Sequence, residues 1–325
     1  IRLSLVGSEM CIRDRAEEAF RAAANPNQFP EQLKYVEPWQ AKRILWNSWR
    51  PELENRSKAL PPIIQIDLGD YNPLLGKSYM EIAAISRTMH KTQGFGSSAQ
   101  RGNFINYFEH TAGDPAETSL FDGIDLTLNR IENSEKIQQL IQKAIDEFNP
   151  QNPSKSVSAL IAVYREINKH APGFWIDKKK ADVVKLIQQC SGLWLEAIAD
   201  QHTLIPGDSL GITITAINRS DLPIALEKLK IISSNNAVNL SRKLEYNQPF
   251  EFKTKIQIPE SAQISQPFWL REPSEYGRFN VSDQKLIGKA ENDPEFLAQI
   301  TMGIMNQVLV YQIPVRHRWN DATKG

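Results

Sequence analysis

The spacing of apolar residues changes once along this chain, near residue 192, and that change constrains the fold more than any single motif. Between Ser134 and Cys190 apolar side chains recur every third or fourth position, and from Leu193 onward every second. The first period marks amphipathic helices and the second marks strands with one buried face. An α+β chain follows, in which a helical segment precedes a sheet-forming one.

On the helical side, Ser134 caps a run with Ile137, Leu140, Ile141, Ala144, Ile145 and Phe148 on one face, and Pro150 and Pro153 end it. Val157, Leu160, Ile161, Tyr164 and Ile167 repeat the pattern. Asp177 opens a third helix, with Ala181, Val184, Ile187 and Cys190 facing inward and Gly192 as terminator. Lys178, Lys179 and Lys180 read as a solvated face. On the other side, 193–199, 211–217, 224–232, 250–258 and 307–313 are predicted strands, with turn clusters at 206–208, 218–221 and 247–249. Short strands separated by turn signals predict a β-sandwich of the immunoglobulin or fibronectin kind.

Upstream, 16–24 is a strong helix former that Asn25-Pro26-Asn27 ends. A short helix over 28–33 and strands over 42–49 and 63–68 follow, with Trp39, Trp46 and Trp49 read as a heavily buried edge, the alternative being an aromatic-lined cleft. Gly76-Lys77-Ser78 suggests a phosphate loop, but that loop needs glycine where Tyr71 stands. The stretch is therefore expected to be a turn that caps a helix over 77–91, with Tyr79, Ile82, Ala83, Ser86 and His90 on one face and Gly94 and Gly96 as stops. Arg87, His90, Gln93 and the polar loop 97–102 then form a candidate pocket wall. Residues 116–192 read as helical, which divides the chain at 16–115, 116–192 and 193–325.

With 325 residues, two domains or a domain and a half with a connector are expected. The 38 basic and 38 acidic side chains balance, which argues against a broad electrostatic footprint for nucleic acid or anionic lipid. No apolar run is long enough to span a bilayer. His90, His110, His170, His202 and His317 show no metal-ligand spacing, no serine sits in a nucleophile elbow, and Cys190 reads as a structural thiol.

Two resemblances add to this reading. Leu5-Val-Gly-Ser-Glu-Met-Cys-Ile-Arg-Asp-Arg15 resembles the translation of a transposase-type sequencing adapter, which sets 1–15, with Cys11, apart as a non-native segment. Phe29-Pro-Glu31, Pro38-Trp39-Gln40, Arg43-Ile-Leu-Trp46 and Ser86-Arg-Thr-Met-His90-Lys-Thr-Gln93-Gly-Phe-Gly96 resemble the C-terminal part of a PIG-L/LmbE-family deacetylase domain. The later segments are similar to those of large multidomain members of that family found in Bacteroidetes-like bacteria.

The resemblance implies a remnant of an α/β deacetylase domain over 16–115, a helical connector over 116–192, and a sandwich over 193–325 that is cut at its C-terminus. It also implies an activity, zinc-dependent removal of acetyl from an N-acetylglucosamine-type amide, with an N-acetylated sugar or glycoconjugate as partner. The family takes its zinc from a His-Pro-Asp-Asp-type motif and a later histidine. Neither is present here, so no metal ligand and no catalytic group is assigned in this chain, and zinc is expected only in the full-length parent. His90, Gln93, Arg87 and Trp39 are then expected to shape the pocket, and the chain is expected to be inert as it stands. By analogy with large enzymes that carry appended sandwiches, the location expected is periplasmic or extracellular. The alternative reading is a non-catalytic glycan-binding or scaffold protein that docks sugars on Phe268 and Trp269, against which stands their assignment to the core.

Overall fold

A computed structural model describes residues 15–48, 61–91, 96–232, 237–320 and 322–323. It is a mixed α+β structure in two compact units, which meet in sequence between Leu126 and Thr127. No helix among the described residues is long and apolar enough to cross a membrane.

In the first unit, α1 covers 15–22 and stops before Pro26. A 3-10 turn, Pro30–Lys34, precedes β1 (Arg43–Ser48) and β2 (Ile64–Asp67). Two short strands, β3 (Tyr71–Asn72) and β4 (Lys77–Ser78), lead into α2 (Tyr79–Thr88), and β5 (Ile105–Gly113) follows. The main sheet is antiparallel in the order β1-β5-β2, so its central strand comes last in sequence. Six successive residues of β5 are half-buried without alternation, so a period of two does not reveal it.

Several expectations change here. Trp39 is 69% exposed and Trp46 is 50% exposed, so the tryptophans do not form a buried edge, and Trp49 lies outside the described residues. Trp46 sits opposite Glu109 on an outer strand of the three-stranded sheet. The helix covers Tyr79–Thr88 rather than 77–91, and its buried side is Ala84 with half-buried Met80, Glu81 and Thr88. Tyr79, Ile82, Ala83, Ser86 and His90 are exposed. At its N-terminus Glu81 is held by hydrogen bonds with Ser78 and by Arg101.

In the second unit, a 3-10 turn (Leu128–Arg130) leads to α3 (Glu135–Asp146), α4 (Val157–Ile167) and α5 (Phe174–Cys190). Residues 116–127 belong to loop and turn, not helix, because the Asp122 carboxylate takes up backbone N–H groups that a helix would use. Ser134 precedes α3 but does not cap it through its side chain; its hydroxyl donates to the Leu128 carbonyl at 2.7 Å. In α5, Ile176, Val183 and Ile187 are buried, whereas Ala181, expected inward, is exposed. Gly192 ends the helix with φ +63°, as expected of a terminator, and joins it directly to the first strand.

The strands are β6 (Leu193–Ala199), β7 (Ser209–Asn218), β8 (Ile224–Ile231), β9 (Ala237–Lys243), β10 (Phe250–Gln257), β11 (Leu297–Ile304), β12 (Gln307–Pro314) and β13 (Arg316–His317). They form two four-stranded sheets, β10-β7-β6-β13 and β12-β11-β8-β9. β7 and β11 are central, and every second residue of each is buried. One core joins both sheets to the three helices: Ile212, Ile214, Leu226, Ile300, Met302 and Ile304 meet Val157, Val163, Ile167 and Ile187. Each such side chain contributes about 1.5–3 kcal/mol by leaving water. The helical segment is thus a layer of this core. β9, β11 and β13 were not predicted: β9 is a polar edge strand and β13 has two residues, whereas β11 alternates cleanly with Ala298, Ile300, Met302 and Ile304 inward.

Candidate functional site

The candidate wall at α2 is held by polar contacts. Ser78 accepts from the Glu81 backbone N–H through Oγ at 3.2 Å, and its own N–H donates to Glu81 Oε2 at 2.9 Å. This reciprocal cap closes the helix N-terminus, as the turn reading of 69–78 expected. The backbone hydrogen bond from Ser78, helped by Arg101 Nε at 2.8 Å, holds the Glu81 carboxyl below its usual range. Asp67 Oδ1 accepts from the N–H groups of Gly69 and Phe104, each at 2.8 Å, which ties the end of β2 to the start of β5. Gly69 is required there, since a Cβ would lie 1.8 Å from the Gly102 carbonyl oxygen.

The C-terminus of α2 is where the expected site residues fall. Thr88 Oγ1 donates to the Ala84 carbonyl at 2.8 Å and accepts from the Ser97 N–H at 3.3 Å, pinning the following loop. His90 lies beyond the helix, its N–H bonded to the Arg87 carbonyl at 3.1 Å, and both side chains are exposed. Gln93 is outside the described residues. Trp39 belongs to a different surface: it lines a cavity of about 560 Å³ built entirely from residues 15–39, and neither Arg87 nor His90 lines it.

That cavity combines apolar and polar walls. Phe29, Leu33, Val36 and Trp39 supply apolar walls, and Glu18, Asn25, Gln28 and Gln32 supply polar groups. Phe29 holds φ 58° and ψ 51°, a left-handed conformation that is costly for a bulky residue and marks a locally over-determined turn. The Trp39 N–H donates to the Ala23 carbonyl at 2.9 Å, fixing one wall to the other. Sequence reasoning picked Trp39 from the family resemblance and missed its partners, since α1 and the 3-10 turn show no shared pattern.

Two further clusters were not foreseen. Asp122 Oδ2 accepts from the N–H groups of Thr118, Glu117 and Ser119 at 2.8, 2.9 and 3.2 Å, and these bonds lower its carboxyl to about 2. The Arg43 guanidinium donates to the Asp122 carbonyl oxygen. In the second unit His317 and Trp319 stack at 6.0 Å, and His202 meets both edge-on. Trp319 is 65% exposed, and Arg318 beside it pairs with Glu196 at 3.3 Å. Phe268, by contrast, is buried with its ring edge-to-face against Trp269 at 4.9 Å, so it belongs to the packing.

Among the described residues no group of three or more His, Cys, Asp or Glu converges to hold a metal ion. No family model matches the chain, and no curated protein matches it. Among solved structures, the sporulation control protein Spo0M of Bacillus subtilis is 8% identical over 39% of this chain and 50% of its own, with a TM-score of 0.21. The alkylpurine DNA glycosylase AlkC of Pseudomonas fluorescens, solved bound to DNA containing an abasic site analog, is 8% identical over 55% of this chain and 50% of its own, with a TM-score of 0.19. Each match spans half of the known protein.

Proposed function

We propose that the first unit is the C-terminal part of a zinc-dependent N-deacetylase of the PIG-L/LmbE kind, acting on N-acetylglucosamine-type amides. In this reading the chain itself contributes sugar contact and no metal chemistry. The observation that carries the sugar-contact role is the Trp39 cavity, which sets two aromatic rings beside amide and carboxylate groups. Aromatic faces suit the C–H face of a pyranose, Leu33 and Val36 suit an acetyl methyl, and Gln28, Gln32 and Asn25 suit the amide.

The test is ligand-observed NMR with N-acetylglucosamine and with glucosamine. The acetylated sugar is expected to bind more tightly, and Trp39→Ala to weaken it by about tenfold, or ~1.4 kcal/mol. Equal binding of the two sugars, or binding that ignores Trp39, would overturn this reading. The parent activity is tested by zinc-dependent acetate release from the complete reading frame.

A second reading rests on the second unit. Its strand orders, β10-β7-β6 and β12-β11-β8-β9, support an immunoglobulin/fibronectin-like sandwich. As a non-catalytic glycan-binding module it would use the exposed Trp319–His317 stack rather than Phe268 and Trp269. Glycan-array binding lost in Trp319→Ala and kept in Trp39→Ala selects this reading over the first.

A further inference from the structure

His202 and His317 are far apart in sequence and meet at one corner of the second unit. β13 pairs in parallel with the end of β6, which sets His317 opposite Ala199, and His202 follows in the loop that leaves β6 at that point. Their ring centres are 5.7 Å apart. The His317 Nδ1–H donates to the Ala199 carbonyl at 3.3 Å, so Nε2 is the nitrogen with the free lone pair and it points away from β6. Among the described residues no hydrogen bond occupies that nitrogen, nor either ring nitrogen of His202. His202 is exposed, and histidine χ2 is a broad torsion, so its ring can present either nitrogen to its neighbour. The carboxylates close by in sequence are already engaged: Glu196 pairs with Arg318 at 3.3 Å, and Asp200 Oδ1 accepts from the Gly211 N–H at 3.1 Å. The glycan-binding reading uses the ring faces of His317 and Trp319 and gives these nitrogens no task.

We propose that His202 and His317 together bind one divalent transition-metal ion, Cu2+ most tightly, with water completing its coordination. Metal–nitrogen bonds are about 2.0–2.1 Å, so two imidazoles that share an ion have ring centres roughly 5–6 Å apart. The spacing of this pair falls in that range. The Ala199 carbonyl supplies what a ligating histidine ordinarily has, an acceptor on its other nitrogen that fixes tautomer and ring orientation. Imidazole donors rank Cu2+ above Zn2+ and do not suit Mg2+ or Ca2+, which take oxygen. With two protein ligands the site stays open and its ion exchangeable. It belongs to the second unit and is separate from the zinc chemistry proposed for the parent deacetylase.

The experiment titrates the full chain carrying Cys11→Ser at neutral pH, with CuCl2 followed by tryptophan fluorescence and with ZnCl2 and MgCl2 followed by calorimetry. Cu2+ should saturate at one ion per chain and quench Trp319, whose ring lies 6.0 Å from His317. Zn2+ should bind at least ~10-fold more weakly and Mg2+ should give no heat of binding. His202→Ala, at an exposed loop position, and His317→Ala should each weaken Cu2+ binding by about tenfold or more, and His170→Ala should leave it unchanged. Trp319→Phe should remove most of the quenching yet keep the calorimetric affinity for Zn2+, which separates the metal site from the stack that a glycan would need. Absence of saturable Cu2+ binding, an affinity unchanged in His202→Ala, or binding lost in His170→Ala would overturn the proposal. So would Cu2+ binding that disappears when Cys190 is alkylated, since the ion would then belong to the thiol.

Discussion

Tyr311 carries a testable inconsistency in the core of the second unit. Its ring is 5% exposed in β12, and its hydroxyl is buried without a hydrogen-bond partner. Tyr311→Phe keeps the buried ring and deletes the stranded group. An unsatisfied buried hydroxyl costs about 1–3 kcal/mol, so the variant is expected to be more stable by about 1–2 kcal/mol at neutral pH. For a unit of this size that is a rise of ~2–4 °C in Tm per kcal/mol.

The same hydroxyl makes a second, independent signal. Burial, with Tyr164 nearby, raises its pKa from the ordinary 10.0, so the folded state keeps the proton that the unfolded state releases. Stability linked to this group is therefore complete below the ordinary tyrosine value and falls as pH rises above it, by up to ~1.4 kcal/mol per pH unit. Urea unfolding of wild type and Tyr311→Phe at pH 7 and above pH 10 measures both effects. The variant should gain stability at pH 7 and show a shallower alkaline loss. A variant less stable by about 1 kcal/mol at pH 7 would refute the argument and mean that the hydroxyl is satisfied by internal water.

Three other outcomes are expected. Ile300→Ala, on the buried face of β11, should cost about 2–5 kcal/mol, whereas Val310→Ala, outward on β12, should stay within about 0.5 kcal/mol; the reverse order in denaturant melts would place a strand one residue out of register. Gly69→Ala drives a Cβ to 1.8 Å from the Gly102 carbonyl oxygen and should destabilise the first unit by about 1–3 kcal/mol, read as loss of hydrogen-exchange protection at Phe104. Asp122 is held at about 2, below its ordinary 3.8, so its contribution is present above 3.8 and lost as pH falls through 2. Asp122→Asn should therefore differ from wild type at pH 7 and converge with it near pH 2.

The periodic elements were legible in the sequence because burial is one-sided. The helices over 135–146, 157–167 and 174–190 and the strands β6, β7, β8, β10 and β12 each face one large core, which imposes a clean apolar stripe. The first unit was harder to read. Its strand β5 lacks alternation, and its buried helix face is one alanine with polar neighbours. Large residues such as Tyr79 and Ile85, whose spacing suggests a buried face, are exposed. Of the expected site residues, Arg87 and His90 are exposed past or near a helix end, and Trp39 lines a separate cavity. Local spacing could not reveal that separation, because it depends on where α1 and the 3-10 turn pack.

The pairing of β13 with β6 has a bearing on self-association. Arg316 and His317 lie parallel to Ile198 and Ala199, and they reach across more than a hundred residues to do so. Until that late segment is in place, the outer edge of β6 at Ile198 and Ala199 presents unpaired N–H and carbonyl groups. An open strand edge is a template for another chain. A version ending before Arg316 should thus retain its fold yet gain a concentration-dependent tendency to oligomerise, so two residues would act as a gatekeeper for solubility.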